Sequence, residues 1–378
     1  MKQIYFTPGP AQLYPSVAQH VQTALDLQLG SISHRSQKFR DIYQHTAEQL
    51  RVLMNIPNSH AILFLGSATE IWERILMNCV EHESFHLVNG SFSKKFYEFS
   101  LELHKYAHKF EKPFGQGFGH DDFIKPATEK ALGKKNARED DEKVRITDYA
   151  ELICLTANET SSGVQMPVVD IHQLKRSYID KLFCVDMVSS APYPNLDYKL
   201  IDSSFFSVQK SFGLPAGLGI WIVNEKCLAK AERLKQYEGI TTGTYHSLPT
   251  LWKNYLKYET PETPNVWSIY LLGKVAEDMN KKGIDLIRKE TDIKAKLLYD
   301  FAEKSEQFDI FVKNPAHRSQ TVVVLETPKP SQVIEHIKTK GMVIGSGYGD
   351  FKNQQIRIAN FPAVSVEDVE NLIKELGL

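Results

Sequence analysis

Short runs of consecutive apolar residues recur along the first two thirds of the chain, and stretches of helical periodicity lie between or before them. The runs that predict strands are Ala61–Leu65, Phe85–Val88, Leu152–Leu155, Leu182–Val185, Phe205–Val208 and Leu218–Val223. Apolar residues at helical spacing mark a helix over Phe39–Met54, for example. Strands that are apolar throughout and alternate with helices are typical of an α/β fold with a mostly parallel sheet between two layers of helices. The short connection before the last strand allows it to be antiparallel.

A proline-containing break over Thr260–Asn265 separates this region from a long predicted helix that begins at Val266. The remainder predicts a smaller α/β unit with helices on one face. Its predicted elements are strands near residues 308–312, 321–325, 342–345 and 354–360 and helices near 331–340 and 365–376. We therefore expect a large domain over residues 16–264, and a small C-terminal domain over 265–378 with residues 1–15 packed alongside it.

The charge balance and the cysteines narrow the class of protein further. The chain has 378 residues, with 45 Lys and Arg against 46 Asp and Glu, which argues against a polyanionic partner such as nucleic acid. Its four cysteines form no closely spaced metal or redox motif, so we expect reduced, buried thiols. No apolar signal region precedes residue 16, and no apolar run reaches the length of a membrane span. These features predict a soluble, cytoplasmic, unprocessed protein.

Residues 114–145 change in composition to Gly, Lys, Asp and Glu. Their charges nearly cancel, which favours a solvated excursion over a binding tail.

Polar clusters follow several of the predicted strands. Leu182–Val185 is followed by Asp186, and Phe205–Val208 is followed by Gln209 and Lys210. In mostly parallel sheets, ligands bind beyond the carboxyl ends of the strands. The sequence therefore predicts a ligand site at this edge of the sheet.

Asp186 and Lys210 allow two interpretations, because a charge at the end of an apolar run needs a partner or a function. They form either a structural ion pair or two parts of a cofactor site. In the second case Lys210 carries an aldehyde cofactor as a Schiff base and Asp186 keeps the ring nitrogen of that cofactor protonated.

The turn after Ala61–Leu65 opens a predicted helix, with Ser67 and Glu70 at the spacing of a capping box. Small residues and free backbone N–H groups at a helix amino terminus suit a phosphate. The alternative is an ordinary strand-to-helix turn.

Three other places in the chain could bind a ligand or could be purely structural. His34 and Arg35 form a basic pair suited to an anion, although such a pair is more often a surface feature. Arg357 lies inside an apolar strand, either as a salt-bridged core residue or as a fork for a carboxylate. Phe92 could stack on a planar cofactor or belong to the core.

In combination and order, these segments resemble the class V (fold type I) pyridoxal-phosphate aminotransferases over nearly the whole chain. The segments that carry the resemblance are Phe6–Ala11, Ser33–Ser36, Gly66–Thr69, Asn89–Ser93, Asn158–Thr160 with Gly163, Asp186–Ser190, Gln209–Lys210 and Arg357. The resemblance implies a transaminase that works with pyridoxal 5'-phosphate through two half-reactions. It also implies particular roles for the matching residues.

In the resemblance, Lys210 is the Schiff-base lysine and proton shuttle, and Asp186 pairs with the pyridinium nitrogen. Phe92 stacks on the cofactor ring, and Thr160 lies beside the phenolic oxygen of the cofactor. The residues matching the phosphate site are Ser67, Ala68, Thr69 and Gln209. Thr260 resembles a residue that reaches the phosphate of the neighbouring subunit, which implies a homodimer with shared active sites.

The substrate side is also implied by the resemblance. Arg357 matches the residue that binds the substrate carboxylate, and His34 with Arg35 matches the site for a substrate anion. Within the family the chain is most similar to the branch that acts on phosphoserine, which implies amino transfer from phosphoserine to 2-oxoglutarate in serine biosynthesis.

Departures from the family pattern bear mainly on the substrate. Phe92 replaces a Trp, and Glu259 replaces an Asn, which puts a carboxylate near a phosphate site. Gly347–Asp350 stands where the phosphoserine branch has a basic His-Arg pair. The 114–145 excursion is longer than the family pattern.

Three alternative functions differ in how well they agree with the chain. A class V enzyme acting on serine, alanine or glyoxylate and a non-catalytic binding protein of the same fold both remain open. A cysteine desulfurase is disfavoured, because no cysteine follows Cys227.

Overall fold

The computed structural model describes residues 3–123, 144–237 and 239–377. Most of the predicted excursion, residues 124–143, therefore lies outside the described part of the chain.

Helices and strands alternate along the described chain. The helices are α1 (Val17–Asp26), α2 (Gln37–Met54), α3 (Ala68–Cys79), α4 (Ser91–Glu102), α5 (Val168–Ser177), α6 (Glu225–Leu234), α7 (Leu248–Tyr255), α8 (Val266–Lys282), α9 (Ile284–Lys304), α10 (Pro330–Thr339) and α11 (Val366–Leu376). The strands are β1 (Ile4–Phe6), β2 (His60–Leu65), β3 (Glu83–Val88), β4 (Tyr106–Glu111), β5 (Leu152–Thr156), β6 (Asn158–Glu159), β7 (Val164–Gln165), β8 (Leu182–Asp186), β9 (Ser203–Ser207), β10 (Gly219–Asn224), β11 (Asp309–Ile310), β12 (Val322–Glu326), β13 (Met342–Ser346) and β14 (Gln355–Ala359).

The larger sheet has seven strands in the order β2-β10-β9-β8-β5-β3-β4. Its strands run parallel except for β10, which is antiparallel to both β9 and β2. The short connection between β9 and β10 permits this reversal, since parallel strands need a long crossover. The predicted α/β fold with a mostly parallel sheet is confirmed.

Two layers of helices cover this sheet, because its strands are apolar on both faces. Ile62 and Phe64 of β2 face a core shared with α2, α5 and α8, whereas Leu63 and Leu65 face a core shared with α3, α6 and α7. Trp221 is fully buried in the second core. Burial on both faces explains why continuous apolar runs predicted these strands.

The edge strand β4 was not predicted. The sequence favours a helix up to Tyr106, but α4 ends at Glu102 and His104 adopts a left-handed conformation with φ of 57°. The residues of β4 are mostly exposed, so this strand carries no apolar run that would mark it.

The smaller sheet has the order β1-β13-β14-β12-β11, and the core beneath it includes residues of α9, α10 and α11. The amino-terminal strand β1 joins this sheet parallel to β13. The buried side of α8, which we expected to begin the small domain, packs in the large core. The domain boundary at residue 265 stays a prediction.

Helices of the described chain are all too short or too polar to cross a membrane.

Candidate active site

A cavity of about 160 Å³ opens at the carboxyl edge of the larger sheet, where the sequence places its polar clusters. The predicted site residues that line it are Ser67, Ala68, Thr69, Phe92, Thr160, Asp186, Gln209 and Lys210. The other lining residues are Trp72, Thr156, Asn158, Val188 and Ser207. The cavity therefore collects residues from the carboxyl ends of β5, β8 and β9 and from the first turns of α3 and α4.

One wall of the cavity is the amino terminus of α3. Ser67 caps the helix by accepting a hydrogen bond from the backbone N–H of Glu70 at 3.1 Å, and Ala68 donates its N–H to Ser207 Oγ at 3.1 Å. Gly219 allows β10 to approach this turn, because a Cβ there would lie 2.4 Å from the carbonyl carbon of Ser67. The partial positive charge of a helix amino terminus makes this wall favourable for an anion.

Asp186 lies at the base of the cavity and is 3% exposed. Its carboxylate accepts hydrogen bonds from Trp72 Nε1 at 3.2 Å and from the N–H of Val188 at 2.8 Å. Burial, reinforced by the charge of Glu159, raises the pKa of Asp186 to about 7 despite these donors. Because burial disfavours the ionised form of Asp186, a cation that enters the cavity would stabilise that form.

Lys210 lies across the cavity from this carboxylate, and its Nζ donates a hydrogen bond to the carbonyl of Pro8. Burial and then the charge of Arg357 lower the pKa of Lys210 to about 8, so a neutral amine is accessible near neutral pH. No ion pair joins Asp186 to Lys210 in the described chain. This geometry favours separate functions for the two residues over the structural ion pair.

Gly9 makes room for this amine. Its backbone has φ of +127°, and a Cβ on it would lie 2.2 Å from Lys210 Nζ. The proline-rich amino-terminal segment therefore closes one side of the site.

A second wall consists of the turn around Thr160, and the guanidinium of Arg357, which is not itself among the lining residues, contacts this turn. Thr160 donates its hydroxyl to Ser189 Oγ at 2.7 Å, and Asn158 Nδ2 donates to the same oxygen at 2.8 Å. Arg357 donates from its NH1 to the carbonyl of Thr160 at 3.2 Å and from Nε to the carbonyl of Ser346 at 2.8 Å.

These two carbonyls accept hydrogen bonds from Nε and NH1 of Arg357, so the remaining N–H groups of the guanidinium are available to a ligand. Burial lowers the pKa of Arg357 to about 10, and no carboxylate of the described chain pairs with it. Of the two interpretations offered by the sequence, a fork for a ligand carboxylate agrees with these contacts and a salt-bridged core residue does not.

The other predicted residues, His34, Arg35, Thr260 and Arg357, are not among those that line the cavity. Thr260 is buried and donates its hydroxyl to the carbonyl of Glu262 at 2.7 Å. Arg35 is half exposed and pairs with Glu259 at 3.2 Å. Arg40 also donates to Glu259, from Nε at 3.0 Å, so two arginines neutralise the carboxylate that departs from the family pattern.

Trp72 is a cavity residue that no sequence motif marked. Its indole stacks on Phe96 at 5.6 Å between centroids, while its N–H points to Asp186. Trp72 stands four residues after Ala68 and therefore on the same face of α3. That spacing could have predicted it as a cavity residue.

Comparison with known proteins gives consistent results. Residues 126–371 match the family described as aminotransferase class-V. The crystal structure of a phosphoserine aminotransferase from Cytophaga hutchinsonii is 47% identical, covers 99% of this chain and 98% of its own, and superposes with a TM-score of 0.91. The phosphoserine aminotransferase of Rhodococcus opacus strain B4 is 28% identical over 376 residues, which are 98% of this chain and 93% of that relative.

A more distant structure shares the fold. Ureidoglycine–glyoxylate aminotransferase from Bacillus subtilis is 19% identical with a TM-score of 0.80, covering 100% of this chain and 92% of its own. The sheet order, the ligand edge and these similarities define a pyridoxal-phosphate-dependent enzyme of fold type I. Within that class, the chain belongs to the class V aminotransferases. The predicted family, enzyme class and cofactor are confirmed.

The cavity fits pyridoxal phosphate on its own chemistry. Asp186 is a buried carboxylate that forms no ion pair among the described residues, and a protonated ring nitrogen would supply the missing cation. The amino terminus of α3 suits the phosphate, because its backbone N–H groups and partial positive charge favour an anion. Lys210 offers the amine that the aldehyde requires.

Proposed function

We propose that this class V aminotransferase transfers the amino group of phosphoserine to 2-oxoglutarate, yielding 3-phosphohydroxypyruvate and glutamate. The observation that carries the substrate assignment is the 47% identity to the Cytophaga hutchinsonii phosphoserine aminotransferase, which spans almost the whole of both chains. Substrates of both classes, amino acids and 2-oxo acids, follow from the family.

The catalytic residues we propose are Lys210 and Asp186. When bound, pyridoxal phosphate supplies an aldehyde that condenses with amines and a ring that accepts the electrons of the Cα–H bond. Lys210, displaced by the substrate amine, would remove the proton from Cα as its neutral amine, which its lowered pKa of about 8 makes accessible. Asp186 would hold the ring nitrogen in its protonated form through a charge-assisted hydrogen bond.

Further residues would hold the cofactor and one end of the substrate. Ser67, Ala68, Thr69 and Gln209 would bind the phosphate at the start of α3. Phe92 would stack on the ring, and Thr160 would lie beside its phenolic oxygen. Arg357 would bind the substrate carboxylate with the guanidinium donors that Thr160 and Ser346 leave unused.

We propose that the enzyme works as a homodimer with shared active sites. Thr260 would reach the cofactor phosphate of the partner subunit, as the resemblance implies. Arg35 is paired with Glu259, the residue before Thr260, so His34 and Arg35 belong to the same surface and would bind a substrate anion in that same partner site.

The proposed location is the cytoplasm. All four cysteines are buried and free, and reduced thiols are typical of that compartment.

The test of the substrate assignment compares amino donors on the purified, cofactor-loaded protein. Phosphoserine, serine and alanine are supplied with 2-oxoglutarate, and the glutamate formed is measured. We expect phosphoserine to be used at least tenfold better than serine by kcat/KM, because one charge-assisted contact to the phosphate is worth about that factor. Equal values for phosphoserine and serine would instead assign the enzyme to the class V branch that acts on serine, alanine or glyoxylate.

The catalytic assignment has its own test. The visible absorbance of bound cofactor is recorded for the unmodified protein and for Lys210→Ala, which should lose both the internal linkage band and glutamate formation. Protein that stays colourless after addition of pyridoxal phosphate would favour a non-catalytic binding protein of the same fold.

A further inference from the structure

Tyr348 occupies the loop in which the sequence lacks the expected basic pair. This loop connects β13 to β14, and it brings the tyrosine ring to 5.1 Å from the ring of Phe92, which lines the active-site cavity. The guanidinium carbon of Arg357 lies 5.4 Å from the centroid of the Tyr348 ring. Tyr348 therefore stands at the substrate side of the cavity, between the proposed ring-stacking residue and the proposed carboxylate-binding residue.

Lys95 approaches the same tyrosine from the large domain. It lies on α4, one turn after Phe92, and its Nζ donates a hydrogen bond to Tyr348 Oη at 3.2 Å. The Nζ is 5.8 Å from the ring centroids of both Phe92 and Tyr348. Two aromatic faces and one hydroxyl thus hold this amine beside the cavity.

The charge of Lys95 is not neutralised by any carboxylate of the described chain. The adjacent Lys94, in contrast, pairs with Glu98 at 3.9 Å. The hydroxyl and the ring faces that contact Lys95 are neutral, so its full positive charge is available to a ligand.

We propose that Lys95, positioned by Tyr348, binds the distal anionic group of the substrate and replaces the cations missing from the loop before Arg357. The proposal rests on the proposed function and names a residue that would select the phosphorylated substrate. In it, Arg357 holds the α-carboxylate, and Lys95 binds the phosphate together with the proposed partner residues His34 and Arg35. Arg357 and Lys95 both contact the ring of Tyr348.

The chemistry of the donors supports a graded effect. A phosphate carries nearly two negative charges, a side-chain carboxylate carries one, and alanine has no distal anion. Loss of a single ammonium should therefore weaken the binding of phosphoserine most and that of glutamate less, and it should leave the binding of alanine unchanged.

The test is the variant Lys95→Met, which keeps the aliphatic length and removes the charge, with Lys94→Met as the matched control on the same helix. For Lys95→Met we expect KM for phosphoserine to rise about tenfold or more with kcat changed less than about twofold. KM for glutamate should rise by a smaller factor, and kcat/KM for alanine should stay constant. Lys94→Met should leave all three donors unchanged.

A second variant, Tyr348→Phe, keeps the ring and removes the hydroxyl that orients Lys95. It should raise KM for phosphoserine about two- to threefold, in keeping with the loss of one neutral anchoring contact. Because it is nearly isosteric, it tests the positioning role without removing a charge.

Two results would overturn the proposal. One is an unchanged KM for phosphoserine in Lys95→Met, and the other is an equal loss for phosphoserine and alanine, which indicates a structural role. The unmodified enzyme separates this failure from failure of the proposed function. If the unmodified enzyme prefers phosphoserine to serine and Lys95→Met shows the same preference, only the assignment of Lys95 is wrong. If it shows no such preference, the substrate assignment itself is wrong.

Discussion

The backbone of Gly9 lies next to the side-chain amine of Lys210, and the absence of a Cβ at Gly9 leaves space for that amine. The φ of +127° at Gly9 is unfavourable for any residue with a Cβ, and that Cβ would occupy the position of the Lys210 amine. Because the lysine side chain is flexible, a substitution at Gly9 should displace the Lys210 amine without disrupting the fold. Gly9 is therefore a functional glycine.

We predict that Gly9→Ala removes most transaminase activity at a modest cost in stability. Strain at the positive φ should lower the free energy of unfolding by about 1–2 kcal/mol. Gly341→Ala is the matched control, because Gly341 also has a positive φ, of +79°, and a Cβ on it would meet nothing within 4 Å. Activity assays and denaturant unfolding of both variants check this. Equal activity in the two variants would refute the role of Gly9.

Trp72 and Asp186 give a second prediction at this scale. The indole N–H donates to the ionised carboxylate and so opposes the effect of burial, which nevertheless raises the pKa of Asp186 to about 7. Trp72→Phe removes this donor, so the pKa of Asp186 should rise further in the apoprotein. Binding of pyridoxal phosphate needs the ionised carboxylate, and the pH below which affinity falls should therefore move upward.

The measurement is an absorbance titration of the apoprotein with pyridoxal phosphate over a pH series. Trp221→Phe is the control, since its buried indole donates to Ser203 Oγ instead, at 2.8 Å. The ionisations of the free cofactor affect both variants equally. A midpoint that moves equally in both, or in neither, would contradict a direct influence of Trp72 on Asp186.

At the scale of elements, His246 joins helix α3 to the segment that contains Thr260. Its Nδ1 contacts Glu70 of α3, and its Nε2 lies 3.3 Å from Glu262. Tyr245 packs against it with 4.0 Å between ring centroids. Burial alone would lower the pKa of His246, but the carboxylates of Glu262 and Glu70 outweigh burial and raise it to about 9. The imidazolium thus bridges the proposed phosphate-binding helix and the proposed intersubunit segment.

This bridge predicts a pH-dependent contribution to stability. Since the pKa in the folded protein is above the unfolded value of about 6.5, the contribution is complete below pH 6.5 and is lost as pH rises through 9. At pH 6, the free energy of unfolding of the unmodified protein should exceed that of His246→Gln by on the order of 2 kcal/mol. At pH 10 this difference should be smaller.

His82→Gln is the control for this prediction. His82 pairs with Glu81 at 3.2 Å but is 71% exposed, and exposed pairs contribute little. A constant difference between His246→Gln and the unmodified protein from pH 6 to 10 would contradict the proposed charge on His246.

At the scale of the whole molecule, the active-site residues divide into two groups. One group lines the cavity of its own chain, whereas the proposed residues His34, Arg35 and Thr260 do not line it, and Arg35 is half exposed on the surface beside Glu259. In the proposed homodimer, two-fold symmetry would bury the same patch on both subunits and bring that surface to the partner's cavity.

Mixed dimers test this arrangement. A Lys210→Ala subunit and a subunit carrying His34→Ala with Arg35→Ala are each expected to be inactive or nearly so. After unfolding and refolding together, half of the dimers contain one subunit of each kind, and each such dimer has one intact site, so about a quarter of normal activity should return. The control mixes Lys210→Ala with Asp186→Ala, which fail in the same site and should restore nothing. An absence of recovery in the first mixture would place His34 and Arg35 in their own chain's site.

Much of the larger sheet could be predicted because its strands are buried on both faces, so that local sequence alone marks them. β8 was predicted as Leu182–Val185 and spans Leu182–Asp186, whereas β9 begins two residues earlier than expected at Ser203. The edge strand β4 was missed, since exposure removes the apolar signal. The polar residues that end these strands converge on one cavity because parallel strands share a carboxyl edge.

The amino-acid sequence by itself determined the alternation of strands and helices, the class V family and the eight predicted residues that line the cavity, because each depends on local pattern or motif. Tertiary structure alone decided the neighbours of those residues: Trp72 at Asp186, Gly9 at Lys210, and Lys95 with Tyr348 at the substrate side. These pairs are far apart in the chain and meet only when helices and loops from different elements pack. No local pattern of hydrophobic and polar residues encodes a contact of that kind.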